Sequence, residues 1–239
     1  MKRGAAAVII IVLLMVVDQA VKVTVKTSMC LHESIRVTDW FYITFIENNG
    51  MAWGMTLFNK TVLTCFRIAA VIVIAYYLYL QVRRRARLLY IVLLALVVAG
   101  AAGNIIDCVV YGQIFDESTC CHVAATVPFG EGYAPILQGR VVDMFYFPVI
   151  VTSWPLWVPV IGGESFVFFS PVFNFADACI TGGFIALIIF CRRELADIRV
   201  KSEERRVKSE ENKEGNAAIK REQSSSLVLP SESRVDEVN

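Results

Sequence analysis

Histidine is almost missing from this 239-residue sequence; His32 and His122 are the only two. A Ser/His/Asp relay needs an imidazole base beside its nucleophile, and a zinc protease of the HExxH type needs two histidines on one helix face. Neither pattern occurs: His32 begins HESIR, which has no second histidine, and GxSxG and GxxxxGK[ST] are both absent. Charge imbalance is missing too. A net charge of +1 excludes the broad basic surface that would hold a nucleic acid. Cys120, Cys121 and His122 stand together, but no CxxC complements them, so no metal centre is expected.

What the chain has in abundance is apolar length. Hydrophobic residues make up 56% of it and its mean hydropathy is +0.57, a composition of membrane proteins. Four stretches, 5–25, 62–82, 88–110 and 172–191, are apolar for about the 20 residues that a helix needs to cross the hydrocarbon. They predict an all-α membrane protein built on a four-transmembrane-helix bundle. The first run follows Lys2 and Arg3 like a secretory signal, but it meets Asp18, Gln19 and Lys22 where a small-x-small cleavage site would stand, and so reads as a retained anchor. Basic residues set the orientation. Lys2 and Arg3 precede the first span, Arg83, Arg84, Arg85 and Arg87 link the second and third, and Arg192 and Arg193 follow the fourth. Both termini are therefore expected in the cytoplasm, with loops 26–61 and 111–171 outside.

In the first outer loop, DWFYITFI at 39–46 mixes aromatic and β-branched residues and ends in the turn-like ENNG. This predicts a small extracytoplasmic β-sheet on the membrane surface, with Trp40, Phe41, Tyr42 and Trp53 at the interface. In the second, 154–157 and 166–169 are candidates to dip into the interface or to form plain loop. Cys30 and the Cys120/Cys121 pair share the outer side, which leaves a disulfide open. Residues 1–193 read as one membrane domain. Beyond them RVKSEER at 199–205 repeats as RVKSEEN at 206–212 with one valine per heptad, too thin a stripe for a coiled coil, so 194–239 reads as a charged, disordered cytoplasmic tail.

Ionisable residues inside spans are costly and mark function. Asp18 and Lys22 lie four residues apart on one face of the first span, Asn104 and Asp107 near the outer end of the third, and Asn174 and Asp177 at the outer start of the fourth. Asp143, in GRVVDMFYF, returns to the same boundary. Four carboxylates thus gather at one depth. Lys22 is expected to neutralise one of them, with Arg67 snorkelling outward from the second span. Two carboxylates crowded together share a proton and can act as base and acid on one water. An ion-coupled transporter is the alternative, although 8–17, 68–75 and 185–189 offer no polar path inward; a non-catalytic assembly subunit is the third reading.

Five blocks, in order, resemble the lipoprotein signal peptidases, or signal peptidase II: DQAVK at 18–22, NNGMAWG at 48–54, AGAAGNIID at 99–107, GRVVDMF at 139–145 and FNFADACI at 173–180. The resemblance spans 5–192. It implies an aspartic endopeptidase with Asp143 and Asp177 as the catalytic pair, and Asn48, Asn104 and Asn174 as the amides lining the site. Ala176 lies beside them in the fifth block. It further implies that Asp18 and Lys22 brace the first span, that Gly103 and the AGAAG run permit close packing, and that Asp107 is structural. Where the family commonly has Arg, Cys108 stands here; Arg140 is the expected replacement. The stretch 113–138 is longer than in the commonest members. The implied substrate is a bacterial prolipoprotein carrying a diacylglyceryl cysteine, cut just before that cysteine, by a monomer in the inner membrane that contacts lipid and needs no metal or organic cofactor.

Overall fold

Proline-free apolar runs in lipid satisfy their backbone groups most simply as helices, and in the computed structural model of the chain the first three runs do so, as does most of the fourth. The structure describes residues 2–50, 59–148, 150–153, 157, 159, 163–168, 171–194 and 196. Three helices are long and apolar enough to cross a membrane: α1 (Lys2–Lys26), α2 (Lys60–Arg83) and α3 (Leu88–Ile106). Asn59 caps α2, its side-chain oxygen accepting the Thr61 N–H at 3.1 Å. At its far end α3 widens into a π turn, Asp107–Tyr111, before a last helical turn, Gly112–Ile114.

The fourth run differs from its expected bounds of 172–191. Val172–Phe173 is a β-strand, and the helix α4 (Phe175–Phe190) has 16 residues, about 24 Å at 1.5 Å per residue. Its start has a local cause. The Asn174 side-chain oxygen accepts the Asp177 N–H at 2.8 Å, while the Asn174 N–H donates back to Asp177 Oδ2 at 3.4 Å. This is a capping box with asparagine and aspartate in the two roles.

Among the described residues the strands are β1 (Ser34–Arg36), β2 (Tyr42–Asn48), β3 (Val141–Tyr146), β4 (Ile150–Ser153), β5 (Ser165–Phe168) and β6 (Val172–Phe173). An antiparallel four-stranded sheet runs β1-β2-β3-β6, and β4 pairs with β5 in a separate hairpin. The expected sheet in the first outer loop is present as β1 and β2. The GRVVDMFYF segment supplies its third strand, pairing Ile46 with Asp143 and Asn48 with Val141 beyond an irregularity between Ile43 and Ile46.

α3 is the central helix. It packs against α1, α2 and α4, and 44% of its apolar window is buried against 11% for α1 and for α2. The AGAAG run permits this approach: a Cβ on Gly100 would overlap the Ala176 carbonyl oxygen, and one on Gly103 would stand 2.6 Å from Asp18 Oδ2. Val8, Ile9, Val12, Val16, Phe66, Ile72, Phe184 and Ile188 face outward, as lipid-facing side chains do. At one end Arg3 donates to the carbonyls of Arg85 and, at 2.8 Å, Ala86, and Arg87 to that of Phe190 at 3.4 Å. Basic residues from the start of α1 and from the α2–α3 link thus gather at the end where α4 finishes. At the opposite end Val25, Met29, Phe45, Tyr111, Phe115, Val142 and Met144 form one core that seats the sheet on the helices.

Trp40 stacks on Phe147 and is 62% exposed, whereas Trp53 lies outside the described residues. All seven cysteines are free thiols; the Cys30 disulfide is not formed, although the Leu31 N–H reaches the Thr119 carbonyl at 2.9 Å. Residues 191–239 form a second unit, of which only 191–194 and 196 are described. The rest of the expected disordered tail and residues 154–156 thus fall outside the described residues, whereas 166–168 of the second aromatic stretch lie in β5 rather than in plain loop.

Candidate active site

Asp143 is buried, 3% exposed, near the middle of β3. Its Oδ1 accepts from Asn174 Nδ2 at 2.7 Å and its Oδ2 from Asn48 Nδ2 at 3.0 Å. Asp177 stands in the first turn of α4, with Oδ1 accepting from Asn104 Nδ2 at 2.8 Å. Asn174 touches both carboxylates, Asp143 through its amide and Asp177 through the capping box. Burial, with the Asp177 charge adding to it, pushes the Asp143 carboxyl up to about 6, against hydrogen bonds from Asn48 and Asn174 that favour its ionised form.

A carboxyl whose affinity for its proton is raised by folding favours the native state when protonated. The contribution of Asp143 is complete below its unfolded value of 3.8 and is lost as pH rises through about 6. Wild type is expected to lose up to about 3 kcal/mol of stability, relative to Asp143→Asn, on going from about pH 4 to about pH 7. Paired thermal melts in one detergent check this; a constant difference between the two across that window contradicts it.

Behind the pair lies a fully buried ionic layer. Lys22 Nζ meets Asp18 Oδ2 at 3.0 Å and Asp107 Oδ2 at 2.8 Å, and donates to Asn104 Oδ1 at 2.7 Å. One lysine therefore contacts two carboxylates, although its single charge can balance only one of them, as expected. Its contact also fixes Asn104: the amide oxygen faces the ammonium, so the nitrogen faces Asp177. Asp18 Oδ1 accepts the Ala176 N–H at 3.0 Å, tying α1 to the first turn of α4 where Gly103 leaves room for the carboxylate. Asp107 Oδ2 accepts the Val142 N–H at 3.4 Å, which holds β3 one residue from Asp143. Gln19 donates to Asp107 Oδ1 at 2.9 Å and accepts from Tyr111 Oη at 3.1 Å.

Two carboxylates, three asparagines that orient them, and an ammonium held one layer back are thus assembled from five separated segments. Those segments lie within residues 10–193, the stretch matched by the family model described as signal peptidase (SPase) II. The chain belongs to the signal peptidase II family. It is 49% identical over 176 residues to the lipoprotein signal peptidase of Porphyromonas gingivalis, covering 73% of this chain and 77% of that one. It is 32% identical over 188 residues to that of Amoebophilus asiaticus, covering 75% and 74%. A solved structure described as a bacterial membrane enzyme, studied by the in meso method, superposes with a TM-score of 0.52 at 26% identity, over 77% of this chain and 91% of that one.

As a signal peptidase II, the chain is an aspartic protease of the bacterial inner membrane, and the transporter and assembly-subunit readings are not favoured. Two expectations about its site change. Arg140 does not approach Asp107; its Nη1 pairs with Glu47 at 2.8 Å and Glu117 at 2.6 Å, and its guanidinium lies 4.9 Å from the Tyr133 ring. The guanidinium beside Cys108 is that of Arg67, whose Nη1 is 3.7 Å from the sulfur and whose Nη2 is 3.4 Å from the Gly50 carbonyl. Arg67 therefore turns inward rather than snorkelling.

Sequence reasoning also missed Gln19, Lys26 and Glu47. Lys26 is 0% exposed and pairs with Glu47. A signal for it exists: Asp18, Lys22 and Lys26 recur every four residues and form one polar stripe along α1.

Proposed function

We propose that Asp143 and Asp177 are the catalytic pair of this signal peptidase and share one proton while a water is held between them. The ionised carboxylate takes a proton from that water, whose oxygen attacks the scissile carbonyl, and the protonated partner donates to the carbonyl oxygen as the tetrahedral intermediate forms. Collapse of the intermediate breaks the C–N bond, and the proton taken from water passes to the leaving amine. The observation that carries this reading is Asn174, one residue that hydrogen-bonds to both carboxylates. Asn48 and Asn104 orient the outer oxygens, and neither carboxylate has a cation within salt-bridge distance among the described residues.

The substrate is a prolipoprotein whose cysteine already carries a diacylglyceryl group, and cleavage falls just before that cysteine. The acyl chains stay in the bilayer while the peptide reaches carboxylates at the helix ends. In this reading α4 is the fourth span, both termini are cytoplasmic, and the carboxylates and sheet lie toward the outer face. The basic residues gathered at the opposite end support that orientation. Residues 1–193 suffice for the chemistry, the tail takes no part, and the working unit is a monomer.

Purified protein incubated with a synthetic lipobox peptide bearing a diacylglyceryl cysteine is expected to release the signal segment and leave a fragment that begins at the modified cysteine. Mass spectrometry identifies the bond cut. Cleavage elsewhere, or equal cleavage of the peptide with an unmodified cysteine, overturns the reading.

A further inference from the structure

A second buried charge cluster lies beyond the catalytic pair. Lys26, at the end of α1, ion-pairs with Glu47 Oε1 and donates to Ser118 Oγ at 2.9 Å, under the rings of Phe45, Phe115 and Tyr133 at 5.9, 5.4 and 4.9 Å. Ser118 Oγ also donates to Glu47 Oε1 at 2.9 Å. The other oxygen, Oε2, accepts from Arg140 Nη1 at 2.8 Å. The backbone N–H of Arg140 donates to Tyr133 Oη at 2.6 Å. Glu47 is therefore gripped from α1, from segment 113–138 and from the residue that opens β3.

Burying such charges gains little stability over an apolar packing of the same volume. What they supply here is direction, because each oxygen of Glu47 is assigned to a different element. The placement is specific. Glu47 is the residue before Asn48, and Arg140 the residue before Val141, the register partner of Asn48. Alternation along β2 turns Glu47 toward the cluster and Asn48 toward Asp143. The irregularity between Ile43 and Ile46 prevents the far half of the strand pair from setting the register at this end, and a slip of one residue would turn Asn48 away from Asp143. The Asn48 amide is held at its other end as well, its oxygen accepting the Gly50 N–H at 2.7 Å.

We infer that Lys26, Glu47, Ser118 and Arg140 are positioning residues that set Asn48, and through it the Asp143 carboxylate, for peptide cleavage, with segment 113–138 as their anchor. The inference rests on the reading of Asp143 as a catalytic carboxylate. It gives that long segment a task on the side of β2 opposite to Asn48.

The test measures kcat and KM on the lipidated peptide for Glu47→Gln, for the double variant Lys26→Met/Glu47→Leu, and for Arg140→Met against Arg140→Lys. The double variant leaves no orphaned charge, since Arg140 keeps Glu117 at 2.6 Å, and so decides the matter if the single variant does not fold. In folded protein kcat is expected to fall about 10- to 100-fold with KM within about twofold. Arg140→Lys should recover most of the kcat lost in Arg140→Met, because one nitrogen makes both of its ion pairs. An unchanged kcat in the double variant, or a loss confined to KM, overturns the inference. Asp143→Asn is run alongside: if it stays active the reading of the pair fails, whereas if it is dead and the double variant is normal only the positioning role falls.

Discussion

Asp143→Asn and Asp177→Asn are each expected to lower the turnover of lipidated precursor by at least about a thousandfold, with the protein still inserted and folded. Asparagine preserves the shape of both sites, and its one amide oxygen keeps the bond from Asn174 at position 143 or from Asn104 at position 177, while its NH2 faces the second donor. What is lost is the ability to hold or release a proton between the two groups. On the proposal that the carboxylates act as a unit, the double variant should be little worse than either single one. Single-turnover cleavage of the peptide checks both statements. A variant that retains a tenth of the activity would place the chemistry on another residue, and multiplicative losses would mean that the two side chains act independently.

Lys22→Met is expected to cost about 3–5 kcal/mol of stability, because it leaves Asp18 and Asp107 as buried charges without a counter-ion. Both carboxylates and the ammonium are at most 2% exposed, so water cannot take over. Function should fall with stability, since Asn104 loses the ammonium that orients its amide toward Asp177. Adding Asp107→Asn should restore part of the loss, a coupling that a thermal-melt cycle over the two positions measures. Strictly additive losses would show that the ion pair contributes nothing beyond its separate residues. Arginine is no substitute, because the planar guanidinium is larger than the fully enclosed ammonium it would replace.

The first three helices were legible because each is an unbroken apolar run with basic residues at one end. The start of α4 was not, since hydropathy does not distinguish an apolar strand such as Val172–Phe173 from the first turn of a helix. The local pattern Asn-Phe-Ala-Asp, a capping box, was the available marker. Aromatic and β-branched composition revealed β2 but not β3, whose residues Val141, Val142, Asp143 and Met144 are buried on both faces. In the candidate site, depth along the spans grouped Asp18, Lys22, Asn104, Asp107, Asn174 and Asp177 correctly. Depth says nothing of rotation about each helix axis. The double pairing of Lys22, the inward turn of Arg67 and the capture of Arg140 by Glu47 and Glu117 depend on how α1, α2 and the sheet face one another, and no spacing within one segment encodes that.

The shortness of α4 has a consequence for the surrounding lipid. With 16 residues it falls short of a hydrocarbon layer of about 30 Å, while α1 with 25 residues and α2 with 24 do not. On the proposal that α4 is the fourth span, the bilayer is expected to be drawn thinner along that flank, a mismatch that costs a fraction of a kcal/mol per Å. Headgroups and water would then stand nearer Asp177 on that side, and acyl-chain length in the host membrane is expected to be one of the variables that set the rate.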